Sequence, residues 1–123
     1  MTDLTTREVS QRLMGVGFAS KTQYYYYKDV HGSVTLRHDY YQAGSSLIEI
    51  PAYSASTLFE WLRAKYHSDP NLALDIQATE ITIWLNIGHN PDEEEKEFEY
   101  KTSLADMLGE SIIWILTQEK ENK

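Results

Sequence analysis

The chain has no cysteine among its 123 residues. This absence excludes disulfide bonds, thiolate metal sites and a cysteine nucleophile. Basic residues are also few, since 11 Lys and Arg stand against 19 Asp and Glu and give a formal net charge of −8. Proteins that bind a nucleic-acid backbone rely on Lys and Arg that displace counterions. Because no basic cluster is visible, nucleic acid is a disfavoured partner, whereas a basic protein surface is an allowed one.

Long hydrophobic runs and a leader segment are missing as well. The longest nearly apolar run is Ile112–Leu116, far shorter than the roughly 20 residues that cross a bilayer as a helix. The first residues, Met1–Gln11, contain neither the basic nor the apolar region of a secretory signal. The sequence therefore predicts a cytoplasmic protein without membrane association. Its length and its 41% apolar content predict one domain, residues 1–123, that ends in a frayed charged tail over 118–123.

The periodicity of apolar residues predicts an α+β fold with the element order α-βββ-α-βββ-α, in which antiparallel sheets pack against helices. Helices are expected over about Thr6–Gly15, from a Ser54 or Ser56 cap to His67, and from a Ser103 cap to about Gln118. Thr5 and Glu8 match a capping box at the first of these. Strands are expected at Thr22–Lys28, Ser33–Asp39, Leu47–Ile50, twice within Leu72–Gly88, and at Glu97–Lys101.

The most recognisable stretch, Ile50–His67, contains a strand end, a Pro-Ala-Tyr connector, a cap and an amphipathic helix. A helical wheel predicts one apolar stripe, with Trp61 at its margin. The stripe consists of Ala55, Leu58, Phe59, Leu62 and Tyr66. The opposite face is polar, so the sequence predicts a structural helix that closes a sheet rather than a functional centre.

Alternation over Leu72–Gly88 changes phase once, which predicts a hairpin. A turn at Thr79-Glu80 would pair Ile76 with Ile83, with Trp84 pointing to the opposite face. The order βββα occurs twice, at about residues 22–67 and 72–118. A duplicated unit would explain this repetition, and so would coincidence, because residue identity between the halves is weak.

Residues with catalytic potential are scattered. The four histidines, His31, His38, His67 and His89, do not show a metal-ligand spacing, and Asp92–Glu95 is expected to be a solvated acidic loop. The sequence therefore predicts no catalytic residue, no cofactor and no metal. A small enzyme remains the alternative if a pocket gathers His38 with carboxylates.

The tyrosine run Tyr24–Tyr27 is the most unusual local feature. Two of its side chains must lie on each face of a strand. Both faces could be covered by other elements, one could bind a protein, since tyrosine is enriched at interfaces, or one could stack the bases of a single-stranded nucleic acid. These three interpretations stay open from the sequence alone.

The last helix offers another candidate surface. Ile113 and Trp114 fall outside its apolar stripe, which predicts either burial between the sheet and the first helix or a two-fold homodimer interface. The complete set of candidate interaction residues is Tyr24, Tyr25, Tyr26, Tyr27, Trp84, Asp92, Glu93, Glu94, Glu95, Ile113 and Trp114.

Motifs over most of the chain carry a resemblance to known families. They are Gly17-Phe18, Tyr24–Tyr27, Ile50-Pro51-Ala52-Tyr53, Leu58–Arg63 and Thr102–Asp106. This pattern resembles families of small uncharacterised phage, prophage and Bacteroidetes-type proteins that have no established activity. The resemblance implies a mobile-element origin and an accessory role, and it transfers no site residue. The expected function is that of a non-enzymatic, homodimeric interaction protein. Its expected partner is another protein, for which a basic binding surface is allowed.

Overall fold

The computed structural model describes residues 3–28, 34–38, 48–85, 93–101 and 103–121. The described residues form α1 (Arg7–Gly15), β1 (Tyr24–Lys28), β2 (Val34–His38), β3 (Ile48–Ala52), α2 (Ala55–Ser68), β4 (Leu72–Ile76), β5 (Glu80–Leu85), β6 (Glu94–Glu99) and α3 (Leu104–Glu121). The predicted α+β class and the predicted order of helices and strands are confirmed.

The first sheet has the strand order β2-β1-β3, and both pairings are antiparallel. β1 and β2, which fall within the strands predicted at Thr22–Lys28 and Ser33–Asp39, are thus antiparallel neighbours. Residues 29–33 and 39–47 lie outside the described residues. β3 runs through Pro51 and Ala52, past the end predicted at Ile50. Pro51 is compatible with this place because β3 is an edge strand, and proline within a sheet is confined to edge strands, strand ends and bulges.

The second sheet is a meander with the order β4-β5-β6. Ile76 lies opposite Ile81, and Leu74 lies opposite Ile83, so the register predicted for this hairpin was wrong by two residues. The turn is centred on Ala78 and Thr79, and the Gln77 N–H closes it by donating to the Glu80 carbonyl at 2.8 Å. A shift of two residues keeps each side chain on its predicted face.

The last strand begins earlier in the sequence than predicted, within the run of glutamates that was expected to be a loop. β6 covers Glu94–Glu99, so Glu94 and Glu95 belong to a strand and not to the predicted acidic loop. Each β6 residue has a partner on β5, from Glu94 opposite Leu85 to Glu99 opposite Glu80. Pairing with a central strand therefore outweighs the low strand propensity of glutamate. Asp92, the first residue of the predicted acidic run, lies outside the described residues.

The two βββα units share their element order but not their topology. β1, the first strand of its unit, is central in the first sheet, whereas β5, the second strand of its unit, is central in the other. The repetition seen in the sequence therefore does not extend to strand order.

The core is built around α3, which packs against α1, α2, β5 and β6. The helix is consequently apolar around much of its circumference, with buried residues at Ala105, Met107, Leu108, Gly109, Ser111, Ile112, Ile113 and Ile115. This arrangement corresponds to the predicted burial of the last helix between a sheet and the first helix. The organising helix is thus α3 and not the more recognisable α2.

The apolar stripe predicted for α2 was partly wrong. Leu58 and Leu62 are fully buried, but Phe59 and Tyr66 are 41% and 46% exposed. Trp61, placed at the margin, packs against the core instead, with its ring centroid 5.6 Å from that of Phe18. The buried side of α2 is therefore turned toward Phe18. A helical wheel cannot predict this, because Phe18 belongs to a different part of the chain.

The residues before α1 join the helices to the first sheet. The cap of α1 is Thr6 and not Thr5 as predicted, since the Val9 N–H donates to Thr6 Oγ1 at 3.4 Å. Thr5 is fully buried. Its N–H donates to the Tyr53 carbonyl (2.9 Å), its Oγ1 accepts from the Tyr53 N–H (3.0 Å), and its carbonyl accepts from the Tyr26 hydroxyl (2.8 Å).

Asp3 extends these connections to the beginnings of two helices. Its carboxylate accepts hydrogen bonds from Ser103 Oγ at 2.7 Å and from the Ala105 N–H at 3.1 Å, at the start of α3. Its carbonyl accepts from the Ala55 N–H at 3.3 Å, at the start of α2. A carboxylate is favourable at the positive end of a helix, so Asp3 stabilises α3 as well as linking it to α2.

Gly109 provides a test of the α1–α3 contact. A Cβ at this position would lie 2.6 Å from Val9 Cγ1 and 3.4 Å from Thr5 Cγ2. Val9 is buried, and β-branched residues have one strongly preferred rotamer in a helix. We therefore expect Gly109→Ala to lower the free energy of unfolding by about 1–2 kcal/mol, because overpacking outweighs the helix propensity of alanine. Urea denaturation followed by circular dichroism would measure this.

Gly15→Ala is the matched control, because nothing lies within 4 Å of a Cβ built at Gly15. We expect this variant to be unchanged or more stable by up to about 1 kcal/mol. Equal effects of the two substitutions would contradict a close packing of α1 on α3.

Burial and the negative charge of Asp106 raise the pKa of the Tyr26 phenol above its ordinary value of 10.0. Burial also raises the pKa of the Tyr53 phenol. A hydrogen bond from the Ser20 backbone lowers this pKa, and the neighbouring Tyr25 raises it, so that the net shift is upward. A raised pKa in the folded state means that folding favours the protonated phenol. The corresponding stability is fully present below pH 10 and is lost as the pH rises through the folded-state pKa.

We therefore expect Tyr26→Phe to have two effects. Loss of the hydrogen bond to Thr5 should lower the free energy of unfolding by about 1 kcal/mol at neutral pH, and the decline of stability above pH 10 should become shallower. Urea denaturation at a series of pH values would measure both. Tyr66→Phe, at an exposed position, is the control for neutral pH and should change stability by less than about 0.5 kcal/mol.

Candidate interaction surface

The tyrosines of β1 are integrated into the fold to different extents. Tyr27 is 3% exposed, so it offers almost no surface to a partner, and Tyr24, Tyr25 and Tyr26 are partly buried. The Tyr26 hydroxyl is bound to Thr5, and the Tyr25 hydroxyl donates to the Thr22 carbonyl at 3.3 Å. The rings of Tyr25 and Tyr27 also contact each other, with centroids 6.2 Å apart. This strand contributes more to internal packing than to an open platform.

The candidate residues of α3 are covered to a large extent. Ile113 is 7% exposed, and Trp114 is partly buried and packs against the core. Both side chains line a groove between α1, β6 and α3. Both residues therefore form part of the surface of that groove.

The outer face of the second sheet, turned away from the helices, is strongly acidic. Strand register places Ala73, Trp84 and Glu95 in one row across this face, with Asp75, Thr82 and Glu97 in the next. Glu80 and Glu99 form a third row. We call Asp75, Glu80, Glu95, Glu97 and Glu99 the acidic face. No Lys or Arg belongs to the described strand residues on this side, and no described cation forms an ion pair with any of these carboxylates.

Trp84 lies within this face. Trp61 and Trp114 pack against the hydrophobic core, whereas Trp84 is not among the residues that do so. Its side chain is partly exposed and lies between Ala73 and Glu95 in neighbouring strands. A tryptophan outside the core and beside carboxylates provides apolar contact area on an otherwise charged surface.

The helix side of β6 borders a groove with a volume of about 1120 Å³. α1 forms one wall, β6 forms the opposite wall, and α3 lies between them. We call this space the edge groove. Its apolar lining consists of Val9, Phe98, Met107, Ile113 and Trp114.

The charges around the edge groove are mixed and partly paired. Arg12 forms an ion pair with Glu110, which joins α1 to α3. Asp106 accepts a hydrogen bond from the Thr6 N–H at 2.8 Å, and the Lys96 ammonium lies 6.0 Å from the centre of the Phe98 ring. Arg7 Nε is buried without a hydrogen-bond partner among the described residues. The complete lining has four basic and five acidic residues, and two of the acidic ones, Glu97 and Glu99, also belong to the acidic face. The groove is therefore close to electrical balance.

The described residues contain no group of three or more His, Asp or Glu side chains able to hold a metal ion. His67 is exposed near the end of α2, and His38 belongs to β2, while His31 and His89 lie outside the described residues. Among the helices of the described chain, none combines the length and the apolar character needed to cross a bilayer.

Trp84, Glu93, Glu94 and Glu95 were predicted as interaction residues, with the three glutamates in one loop apart from the strand of Trp84. Glu95 shares a face with Trp84, whereas Glu94 lies opposite Leu85 on the other face; Glu93 is exposed just before the strand. Asp75, Glu80, Glu97 and Glu99 are not among the predicted interaction residues, although the alternation of EEKEFE already placed three glutamates on one side.

A scan against protein-family models, a search of curated proteins and a search of solved structures each found no match to this chain.

Proposed function

We propose that this chain is a non-enzymatic interaction protein that binds a positively charged segment of another protein on the acidic face. The observation that supports this most strongly is the one-sided charge of the second sheet. Its outer face carries five carboxylates around Trp84 and no described cation that neutralises them. An acidic surface of this kind attracts Lys and Arg and repels the phosphates of nucleic acids.

The physical properties of the face favour association with a protein. Asp75, Glu95, Glu97 and Glu99 are exposed, and none of them forms an ion pair with another described residue, so a partner can reach them. Trp84 adds an aromatic surface, and aromatic residues are enriched at protein interfaces. Exposed charges accelerate and orient encounter, while the apolar side chain contributes contact that salt does not screen.

The charge of the face can be tested with a fluorescent oligolysine peptide at low salt. We expect Glu95→Gln together with Glu97→Gln to weaken its binding about fivefold, because each exposed ion pair contributes roughly 0.5 kcal/mol. Fluorescence anisotropy would measure the dissociation constants.

The matched control is Glu60→Gln together with Glu121→Gln, which makes the same change in net charge at exposed positions of α2 and α3. This variant should keep the affinity within about twofold of the parent chain, since exposed charges far from the ligand are screened. Equal weakening by both double variants would show that only net charge matters and would contradict a binding face on the second sheet.

The homodimer expected from the sequence stays a prediction. Because Ile113 and Trp114 line the edge groove, a dimer that uses them has to place a segment of the second copy in that groove. Light scattering during gel filtration would determine the mass in solution. A monomer at micromolar concentration would exclude this dimer.

A further inference from the structure

We infer that the partner binds as an added strand along the free edge of β6, with every second residue basic and with apolar residues between them. This inference rests on the proposed function and specifies the geometry and the chemistry of the bound segment. It follows from three features that meet at β6: its unpaired backbone, the edge groove beside it, and the alternation of its side chains.

Among the described residues, no strand pairs with one edge of β6. β6 is one of the two edge strands of its sheet. The Tyr100 N–H, just after it, donates to the Thr79 carbonyl at 2.8 Å. This bond marks a hydrogen-bonded pair, so in the antiparallel alternation the N–H and C=O groups of Phe98, Lys96 and Glu94 point toward β5. The corresponding groups of Glu95, Glu97 and Glu99 point away from the sheet and have no strand partner among the described residues.

The edge groove supplies room for such a strand. Its volume of about 1120 Å³ exceeds the roughly 300–1,000 Å³ of typical small-molecule sites. A neighbouring strand lies about 4.8 Å from its partner, and α1 and β6 both line the groove beside this edge. Strand addition to a sheet edge beside a helix is a general way to bind an extended peptide, with backbone bonds for affinity and side-chain contacts for specificity.

The side chains of β6 define the sequence of the added strand. Residues opposite Glu95, Glu97 and Glu99 point to the acidic face, where Lys or Arg matches the charge. The intervening residues lie beside Glu94, Lys96 and Phe98 on the helix side of β6. There Phe98 and Trp114 supply apolar surface in the groove, and the Lys96 ammonium lies over the Phe98 ring. Opposite charges in cross-strand positions stabilise the pair, so an alternating basic and apolar segment fits both sides.

A second copy of this chain does not fit the edge. In a two-fold antiparallel pairing of β6 with itself, opposing side chains lie on the same face, so the glutamates of one strand face those of the other. Like charges in these positions are destabilising, and charged edge strands protect proteins against self-association. The same charges select a basic strand from a different protein.

The test uses the peptide Lys-Val-Lys-Val-Lys-Val-Lys and two N-methylated forms with the same charge and composition. In the added strand the lysine amides donate to β6, whereas the valine amides point away from it. We expect methylation of the lysine amides to weaken binding about tenfold and methylation of the valine amides to have little effect. Binding of the parent peptide should also slow hydrogen exchange at the Glu95, Glu97 and Glu99 amides.

Other outcomes overturn the inference in distinguishable ways. If both methylated peptides bind as the parent does, and Glu95→Gln with Glu97→Gln weakens all three, strand addition is wrong while the acidic face still binds basic segments. If none of the peptides binds, the proposed function fails with it. Slow exchange of the same three amides in concentrated protein without peptide would show a second copy at the edge and would also overturn the inference.

Discussion

The fold depends on the way in which the first described residues hold the rest of the molecule together. Thr5 is a buried polar residue whose backbone and hydroxyl groups bind Tyr53, Tyr26 and Ser10. Buried polar groups without partners are costly, so these bonds fix the relation of α1 to the first sheet and to the connector before α2. Asp3 and Thr6 add bonds to the beginning of α3. A few residues outside any long element thus align all three helices of the described chain.

This alignment has a consequence for the surface. With α3 packed against α1, α2 and the inner side of the second sheet, the sheet has one apolar and one charged side. The charged side contains the carboxylates and Trp84, while the apolar side ends at β6, which borders the groove that α1 and α3 also line. The acidic face and the edge groove therefore meet along one strand, which gives β6 a different role from the other strands described.

Features encoded by neighbouring residues could be predicted from the sequence, and those encoded by distant contacts could not. Ser54 and Ser103 cap their helices as expected, since a cap needs only the next turn. The inward direction of Ile81 and Ile83 follows from alternation. By contrast, the rotation of α2 toward Phe18, the assignment of the α1 cap to Thr6, and the start of β6 at Glu94 depend on partners elsewhere in the chain. The alternation of β6 alone indicates three of the five carboxylates of the acidic face, but their rows with Trp84, Asp75 and Glu80 exist only after three strands have paired.

The contacts of Asp3 and Thr6 also affect the order in which the chain can fold during synthesis. Their partners, Ser103 and Asp106, are each 100 positions later in the sequence. Contacts of such separation close large loops and form slowly. On the ribosome the residues made first must remain without these partners until α3 has emerged. Both sheets and two helices are thus synthesised before the helix against which they pack, and the cooperative core can assemble only at that late stage.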